Sequence, residues 1–448
     1  MDPASGLFLA GVVEGFYGRP WALVERHRLF GWLRDAGLNT YLYAPKDDLK
    51  HRTLWRELYT ESEAAALGNL VCACRTSGIR FIYALAPGLD VEFARETDWI
   101  ALERKLDQLR GIGCCDFALL WDDIPAALSE ADRARFGTPA LAQAAITNRV
   151  WNLRKAEGEP GRLLFCPTVY CGQMAGGDVG SCAYLREIGE RLDPGIELLW
   201  TGPDIIAGEI SMDSIHELGA VVRRTPVLWD NLHANDYDAQ RLHLGPYSGR
   251  PRELREAIGG VLLNPNCAFE ANFVAVRTLG EYVHGEGPYC PREAYVGAVG
   301  AWLPAFGTKG RIRIEMEDLL LFGDCLYLPM ELGPQAAAYL SDFQHLLRTR
   351  PEQWGAAAAR FEAVSRRMIA FYDRLTELED RELLHALYAQ AWELKETALR
   401  LLGWMAWRRQ HPEPGARYGP PDFRPELRRG LFVSRMERML PMDDIELP

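Results

Sequence analysis

The sequence has no run of basic residues and no excess of positive charge. Of its 448 residues, 50 are Lys or Arg and 62 are Asp or Glu, which gives a formal net charge of -12. A surface that binds nucleic acid or an anionic membrane needs the opposite balance. The sequence therefore predicts neither nucleic acid nor a membrane among the partners of this protein.

Long hydrophobic runs are also missing, although 48% of the residues are hydrophobic. The apolar stretch at residues 7–13 has no basic residue before it and meets Glu14 at once. It is too short to cross a membrane and lacks the pattern of a signal peptide. We therefore expect a cytoplasmic protein with a large buried core.

The ten cysteines include neither a CxxC pair nor a short disulfide framework, so we expect free thiols. Asp230, His233 and Asp236 follow one another at intervals of three, which is one spacing that metal ligands adopt. The sequence has no second His or Cys cluster that would complete such a set. We predict that the protein uses no metal ion and no other cofactor.

Eight continuously apolar runs occupy the first two thirds of the chain, separated by stretches with helical periodicity. Two of these stretches end at Gly37 and Gly78, as helices often do. Unbroken apolar character is typical of parallel strands buried on both faces, and eight strand–helix units predict an α/β fold, the (β/α)8 TIM barrel. A doubly wound open sheet is the alternative. That fold would be expected to carry a glycine-rich phosphate loop after its first strand, and this sequence has none there. The runs lie at 7–16, 39–46, 79–88, 116–124, 162–170, 196–204, 226–232 and 259–266.

Beyond residue 285 the pattern changes to long amphipathic stretches with apolar residues at helical spacing. A Pro-rich segment at 411–425 precedes the last of them. We predict a TIM-barrel domain at residues 1–285, followed by an all-α helical bundle at residues 286–448. The amphipathic stretches lie at 293–306, 315–347, 352–378, 380–410 and 426–440.

Polar and aromatic residues follow the ends of the apolar runs, where a TIM barrel places its active site. They comprise carboxylates, amides, one lysine and several aromatic rings. This mixture suits a sugar, because polar groups bond the hydroxyls and aromatic faces cover the ring. The residues are Glu14, Gly15, Phe16, Tyr17, Lys46, Asp47, Asp48, Pro87, Gly88, Asp90, Asp122, Asp123, Thr168, Tyr170, Thr201, Asp204, Trp229, Asp230, Asn231, Asp236, Asn264 and Asn266.

Asp122 and Asp123 end the segment FALLWDDIP (117–125), which is otherwise wholly apolar. Charged side chains at the mouth of a core are costly unless they have partners or a function, so this pair indicates chemistry. The plainer alternative is that the two carboxylates cap the next helix.

Adjacency limits the reaction in which Asp122 and Asp123 could take part. A glycosidase with two working carboxyl groups places them about 5–5.5 Å apart for retention or about 6.5–9.5 Å apart for inversion. Successive strand side chains point to opposite faces, so neighbours share one pocket only if the strand bends at its end. An adjacent pair suits substrate-assisted catalysis, in which the 2-acetamido oxygen of the sugar attacks, one carboxylate orients that group and the other is the acid.

Seven motifs give the chain a close resemblance to glycoside hydrolase family 84. They occur in the same order as in that family and at similar spacing. The resemblance implies a retaining exo-β-N-acetylglucosaminidase that removes O-linked GlcNAc from Ser or Thr of proteins through an oxazoline. An enzyme for small glycans or cell-wall fragments, and a catalytically silent carbohydrate-binding barrel, remain the alternatives. The motifs are GVVEGFYGRPW (11–21), YLYAPKDD (41–48), LLWDDI (119–124), CPTVYCG (166–172), LLWTGP (198–203), WDNLHANDYD (229–238) and LLNPNCAFEAN (262–272).

The resemblance implies a catalytic role for each aspartate. Asp122 would hold the acetamido N–H, while Asp123 would be the general acid and then the base. Tyr170 and Trp229 match residues that close a pocket around the N-acetyl group, with the Tyr170 hydroxyl on its oxygen. Core packing is the ordinary alternative for both aromatic residues.

The remaining sugar contacts are implied in the same way. Asn231 would lie near the acetamido group, and Asp236 would accept hydrogen bonds from the 4- and 6-hydroxyls. Lys46, Asn264 and the backbone of Gly15 would contact the other hydroxyls. Turn formation is the alternative for Asn231 and Asp236, and a salt bridge with a neighbouring aspartate is the alternative for Lys46.

The segments at 317–336 and 428–442 resemble the helical stalk of the family, which implies a homodimer that exchanges its last helices. The stalk of the partner would then overhang the active site and form a peptide cleft. Ordinary core or surface positions are the alternative for its residues. Met174 stands where an aromatic residue is expected, and a flexible methionine orients a peptide less well. The residues matching this cleft are Met174, Ile205, Tyr237 and Trp354.

Overall fold

The computed structural model describes residues 7–418, apart from 126, 159, 160, 239, 311, 312, 414 and 417, together with Met436 and Met439. The chain divides into two compact units. The main change of unit falls between Cys290 and Pro291, whereas the sequence placed the boundary after residue 285. The first unit comprises the chain up to Asp236, Tyr247–Cys267 and Val276–Cys290, and the second comprises Tyr237–Pro246, Ala268–Ala275 and the chain from Pro291 onward.

Eight parallel strands close into a barrel in the first unit, in the order of the chain. The last strand pairs with the first, where Leu9 lies opposite Gly260. This confirms the TIM barrel that the eight apolar runs predicted. The strands are β1 (Leu9–Glu14), β2 (Thr40–Tyr43), β3 (Arg80–Leu85), β4 (Asp116–Leu120), β5 (Leu163–Cys166), β6 (Glu197–Trp200), β7 (Pro226–Asp230) and β8 (Gly260–Leu263).

The interior of the barrel is packed with side chains from every strand. Residues two apart, such as Ile82 and Ala84 or Ala118 and Leu120, point to the same side of a strand and belong to one buried cluster. The cluster extends to Trp229 at the end of β7. The packed interior therefore forms the floor beneath the carboxyl ends of the strands.

Helices follow the strands around the barrel, and several carry the expected end signals. Gly37 and Gly78 lie just beyond the first two helices with φ of +73° and +74°, a conformation that glycine adopts most easily. The helices are α1 (Leu23–Asp35), α2 (Glu61–Thr76), α3 (Glu96–Gly111), α4 (Glu130–Phe136), α5 (Pro139–Ala156), α6 (Ala183–Arg191), α7 (Met212–Val222), α8 (Phe273–His284), α9 (Pro291–Trp302), α10 (Met316–Cys325), α11 (Pro334–Arg348), α12 (Gly355–Leu375) and α13 (Arg381–Gln410).

The second unit is built from helices α9 to α13. Its core contains stacked rings, with the centroid of Phe361 4.3 Å from that of Tyr339 and 5.4 Å from that of Phe343. The stretch predicted as one helix at 315–347 is two helices, α10 and α11. The chain between them turns back on itself, with Leu328 paired to Glu331, and Pro334 begins the next helix.

Two features complete the description of the chain. The helix predicted near 426–440 lies outside the described residues except for Met436 and Met439, so its exchange between subunits stays a prediction. All ten cysteines lie in the described part and are unpaired, as the sequence predicted. Among the described helices, none is long and apolar enough to span a membrane.

Candidate active site

Asp122 lies just beyond β4 and is largely buried, with 7% of its surface exposed. Its Oδ2 accepts a hydrogen bond from Nζ of Lys46, which follows β2, at 2.8 Å. Its Oδ1 is buried and has no hydrogen-bond partner among the described residues. A buried acceptor of this kind is costly unless a ligand supplies the donor. Asp122 can therefore receive an N–H or O–H from a bound molecule.

Burial and nearby positive charges have opposite effects on the pKa of the Asp122 carboxyl. Burial by itself would raise the pKa of this carboxyl, because a charge is poorly solvated there. The positive charge and hydrogen bond of Lys46, aided by the charge of Arg52, outweigh burial and hold the pKa below its ordinary value. Asp122 is therefore ionised at neutral pH.

Asp123 enters the same site because the backbone turns sharply at this residue. Its φ is +50°, in the left-handed region that residues other than glycine seldom adopt. This turn supplies the bend that two consecutive carboxylates require. Tyr17 donates its hydroxyl to Oδ2 of Asp123 and Tyr170 donates its hydroxyl to Oδ1, each at 3.0 Å.

Both tyrosine hydroxyls at Asp123 stay protonated. Burial, and then the charge of Asp123, raise the pKa of Tyr170 and that of Tyr17. The sequence implied that the Tyr170 hydroxyl would lie on the acetamido oxygen. Here it donates to Asp123, so the two hydroxyls fix the position of the Asp123 carboxylate, and the contact of Tyr170 with an acetamido oxygen stays a prediction.

Trp229 forms an apolar wall at the end of β7 and is 6% exposed. A Cβ atom at Gly15 would lie 2.3 Å from its ring, so only glycine fits at that position. Nζ of Lys46 lies 5.8 Å from the centroid of the Trp229 ring. Gly15, Lys46 and Trp229 therefore come together beside Asp122.

Asn231 and Asn264 form a buried amide pair on the ends of β7 and β8. Nδ2 of Asn264 donates to Oδ1 of Asn231 at 2.9 Å, and Nδ2 of Asn231 donates to the carbonyl of Ile205 at 2.8 Å. Oδ1 of Asn264 is buried and has no partner among the residues described, so it is a second acceptor for a ligand. Asp236 accepts the backbone N–H of Tyr17 at 2.8 Å.

Two residues at the site were given no individual role by the sequence, although Tyr17 was among the residues that follow the apolar runs. Tyr17, which contacts Asp123, lies two positions beyond Gly15 at the end of β1, and that position was the available signal. Arg52 donates from Nη2 to the backbone carbonyl of Asp123 at 3.0 Å. It lies in the loop after β2, away from any strand end, so the sequence carried no signal for it.

Three residues of the expected peptide cleft are exposed. Met174 and Ile205 are both 41% exposed, on two loops that are joined by a hydrogen bond from Gln173 N to Pro203 O at 2.7 Å. Tyr237, in the second unit, is 48% exposed, and its hydroxyl lies 3.2 Å from Nε2 of His243. The structure thus leaves these three residues accessible.

Trp354 is a core residue of the second unit, which corrects its assignment to the peptide cleft. It is 2% exposed, and its Nε1 donates to the carbonyl of Leu346 at 2.9 Å. Its ring centroid lies 5.7 Å from that of Trp404. A side chain buried in this way has no face left for a peptide.

The Asp230–His233–Asp236 spacing does not bring three ligands together. Among the described residues no group of three His, Cys, Asp or Glu side chains could hold a metal ion. The Asp230 carboxylate instead accepts Nε and Nη2 of Arg250, at 2.7 and 2.8 Å. Asp230 is therefore a structural residue, bound on both oxygens.

Known proteins resemble this chain in both sequence and structure. A family model described as β-N-acetylglucosaminidase matches residues 10–304. The protein O-GlcNAcases of Mus musculus and Rattus norvegicus are both 52% identical to it over 275 residues, which is 61% of this chain and 30% of each relative. The chain thus spans less than a third of the length of these curated relatives.

A solved structure extends the similarity beyond the barrel. A mutant of the Thermobaculum terrenum O-GlcNAc hydrolase superposes with a TM-score of 0.77 and is 29% identical in sequence. The match covers 89% of this chain and 83% of that one. It therefore includes much of the helical second unit as well as the barrel.

Proposed function

Because this chain belongs to the β-N-acetylglucosaminidase family, we propose that it is a retaining exo-β-N-acetylglucosaminidase acting on proteins that carry O-linked GlcNAc on Ser or Thr. The names of the rodent relatives and of the bacterial structure support this substrate. One observation carries the proposal. Asp122 is a buried, ionised carboxylate with one oxygen on Lys46 and one without a partner, directly followed by Asp123.

In the proposed reaction Asp122 orients the nucleophile. Its Oδ1 accepts the acetamido N–H of the sugar and turns the carbonyl oxygen toward the anomeric carbon. That oxygen bonds to the carbon as the glycosidic bond breaks, which forms an oxazoline. Because the nitrogen becomes positively charged, the ionised Asp122 stabilises the transition state more than the bound substrate.

Asp123 moves the proton in both steps. It gives its proton to the glycosidic oxygen as the bond breaks, so that a neutral Ser or Thr hydroxyl leaves. The resulting carboxylate then takes a proton from the water that opens the oxazoline, and the product keeps the β configuration. Tyr17 and Tyr170 hold both carboxylate oxygens and keep this group at the leaving atom.

The remaining residues would bind the sugar. Trp229 offers an apolar face for the N-acetyl group, as does the ring of Tyr170. Oδ1 of Asn264 is a buried acceptor suited to a sugar hydroxyl, as is the Asp236 carboxylate. Asn231 fixes the Asn264 amide through their hydrogen bond.

We further propose a homodimer in the cytoplasm. On α13, Tyr388, Trp392 and Leu399 are between 42% and 44% exposed and lie on one side of the helix, which supports an apolar contact with a second copy. The ten unpaired cysteines support a reducing compartment.

The test compares a nitrophenyl β-N-acetylglucosaminide with a peptide that carries GlcNAc on serine. Asp122→Asn should lose activity on both substrates, because the nucleophile is no longer oriented. Asp123→Ala should lose on the order of 100-fold on the peptide but much less on the activated nitrophenyl leaving group. Asp107→Asn, an exposed substitution on α3, serves as the control. Full activity of Asp122→Asn, or no turnover by the unaltered protein, would refute the proposal, and faster turnover of chitobiose than of the peptide would favour small glycans.

A further inference from the structure

Asp123 has a backbone conformation that needs support from its surroundings. Among described residues other than glycine, only Asp123 and Arg223 have positive φ, and Arg223 merely ends α7. A strained residue of this kind persists only where neighbouring groups hold it. The position of the proposed acid therefore depends on the groups that bind this residue.

The contacts of Asp123 are of two kinds. Tyr17 and Tyr170 bind its carboxylate, and those hydrogen bonds must change whenever the carboxyl gains or loses a proton. Arg52 binds its backbone carbonyl at 3.0 Å, and this contact is the same in both protonation states. Since arginine is always charged, the bond to the carbonyl is also charge-assisted.

Arg52 is a buried arginine without a carboxylate partner. It is 7% exposed, its Nη1 has no hydrogen-bond partner in the part of the chain described, and no carboxylate there forms a salt bridge with it. Burying a guanidinium without a carboxylate partner is costly. Its charge instead faces the site, where it lowers the pKa of Asp122.

The loop that carries Arg52 is firmly attached to the barrel. Nδ1 of His51 lies 2.6 Å from the carbonyl of Ala84 on β3, and the N–H of Ala86 donates to the carbonyl of His51 at 2.9 Å. Asp48 accepts the hydroxyls of Tyr43 and Tyr59, at 2.8 and 2.6 Å. Arg52 therefore reaches Asp123 from a fixed base.

We propose that Arg52 is a positioning residue for the general acid: its bond to the Asp123 carbonyl holds the left-handed turn that brings the Asp123 carboxyl to the leaving-group oxygen. This proposal rests on the function proposed above. Without Arg52 the backbone relaxes toward an ordinary conformation and the carboxyl moves away from the bond to be broken. A misplaced acid slows only those leaving groups that need a proton.

The experiment measures kcat/KM of Arg52→Met on methyl β-N-acetylglucosaminide and on a dinitrophenyl β-N-acetylglucosaminide, at a pH on the plateau of both profiles. The rate on the methyl glycoside should fall on the order of 10-fold or more beyond any fall on the dinitrophenyl glycoside. Arg52→Lys keeps a charged donor, so its ratio of the two rates should lie between those of the unaltered protein and Arg52→Met. If Arg52→Met does not fold, Arg52→Lys is tested in its place. Arg56→Met, on the same loop but paired with Asp90 and Asp98, is the control and should leave the ratio of the two rates unchanged.

A double substitution separates positioning from a general structural effect. In the Asp123→Ala background the acid is absent, so Arg52→Met should not change the ratio of the two rates any further. An equal fall on both substrates, or the same change of ratio in the Asp123→Ala background, would overturn the proposal. If the unaltered protein and Asp123→Ala behave as expected and only Arg52→Met does not, this inference fails while the proposed function stands.

Discussion

Two aspartates that are neighbours in the chain have very different surroundings. Asp122 is buried, paired with Lys46 and held with a lowered pKa, whereas Asp123 is exposed and accepts two tyrosine hydroxyls. Asp122 is thus suited to stay charged, and in the proposed reaction Asp123 exchanges a proton with the leaving group and with water. The separation of roles comes from environment, since the two side chains are chemically the same.

The first prediction concerns the pH dependence that Lys46 imposes. Burial raises the pKa of Asp122, and Lys46 and Arg52 together lower it by more, so Lys46→Met should remove much of the opposition to burial and raise that pKa. Asp122 must be ionised in the proposed reaction, so the acidic limb of kcat/KM should move to higher pH, and the plateau rate should fall as well. A pH–rate profile on a nitrophenyl substrate measures both effects.

The control for Lys46 is Lys155→Met, which removes an exposed ion pair with Asp193. This variant should leave the profile where it is. If the acidic limb of the Lys46→Met profile stays in place or moves to lower pH, a group other than Asp122 controls the fall of kcat/KM at acidic pH.

The sequence predicted which residues lie at the site more successfully than it predicted which partners those residues contact. Strand-end position indicated Lys46, Asp122 and Trp229, but two acidic neighbours offered equally good partners for Lys46. The left-handed turn at Asp123 depends on Arg52, which is distant in the chain. Contacts of this kind follow from the closed barrel and are not encoded in local spacing.

At the scale of elements, the end of β7 is held by a buried ion pair. Asp230 lies between Trp229 and Asn231, and its carboxylate and the Arg250 guanidinium have no exposed surface. Arg250 also donates to the carbonyls of Ala207 and Gly208, at 2.8 Å each. The pair therefore fixes the strand end to the loop that bonds Asn231.

The second prediction is that Arg250→Met strongly destabilises the protein. The substitution leaves the Asp230 charge buried without its partner, which typically costs about 3–5 kcal/mol. The free energy of unfolding in urea, monitored by tryptophan fluorescence, measures this cost. Arg34→Met, which removes an exposed ion pair with Asp35, should cost about 1 kcal/mol or less. Equal losses from the two variants would mean that the buried pair has no special role at the end of β7.

The strands could be predicted from the sequence because each is a short apolar run buried on both faces. Their parallel order followed from the helical stretches between them. The break between α10 and α11 was missed, since Leu326, Leu328 and Leu332 continue the apolar pattern of the flanking helices. Only Pro329 and Pro334 marked the turn, and a proline is also tolerated where a helix begins.

The whole molecule consists of two units with separate cores, and the second exposes an apolar stripe. Tyr388, Trp392 and Leu399 lie on one side of α13, and each is 42% exposed or more. Large apolar side chains grouped in this way commonly mark an interface. The stripe is therefore the surface that we expect a second copy to cover.

The third prediction is that Trp392→Glu weakens the dimer. A charge in an apolar contact loses its hydration without gaining a partner, so the mass from light scattering should shift from dimer to monomer at equal concentration. Ile100→Glu, at a 46% exposed position on α3, is the control and should leave the mass unchanged. A wild-type protein that is monomeric at micromolar concentration, or a Trp392→Glu variant that stays dimeric, would exclude this interface.

The most direct measurement of the central claim varies the nucleophile that the substrate itself supplies. Aryl glucosaminides carrying acetyl, fluoroacetyl, difluoroacetyl and trifluoroacetyl groups on nitrogen differ mainly in how readily the carbonyl oxygen attacks. If the acetamide oriented by Asp122 is the nucleophile, kcat/KM should fall steadily with each added fluorine. A rate that is the same across the series would show that a group of the protein attacks the sugar, and the division of labour between Asp122 and Asp123 would be wrong.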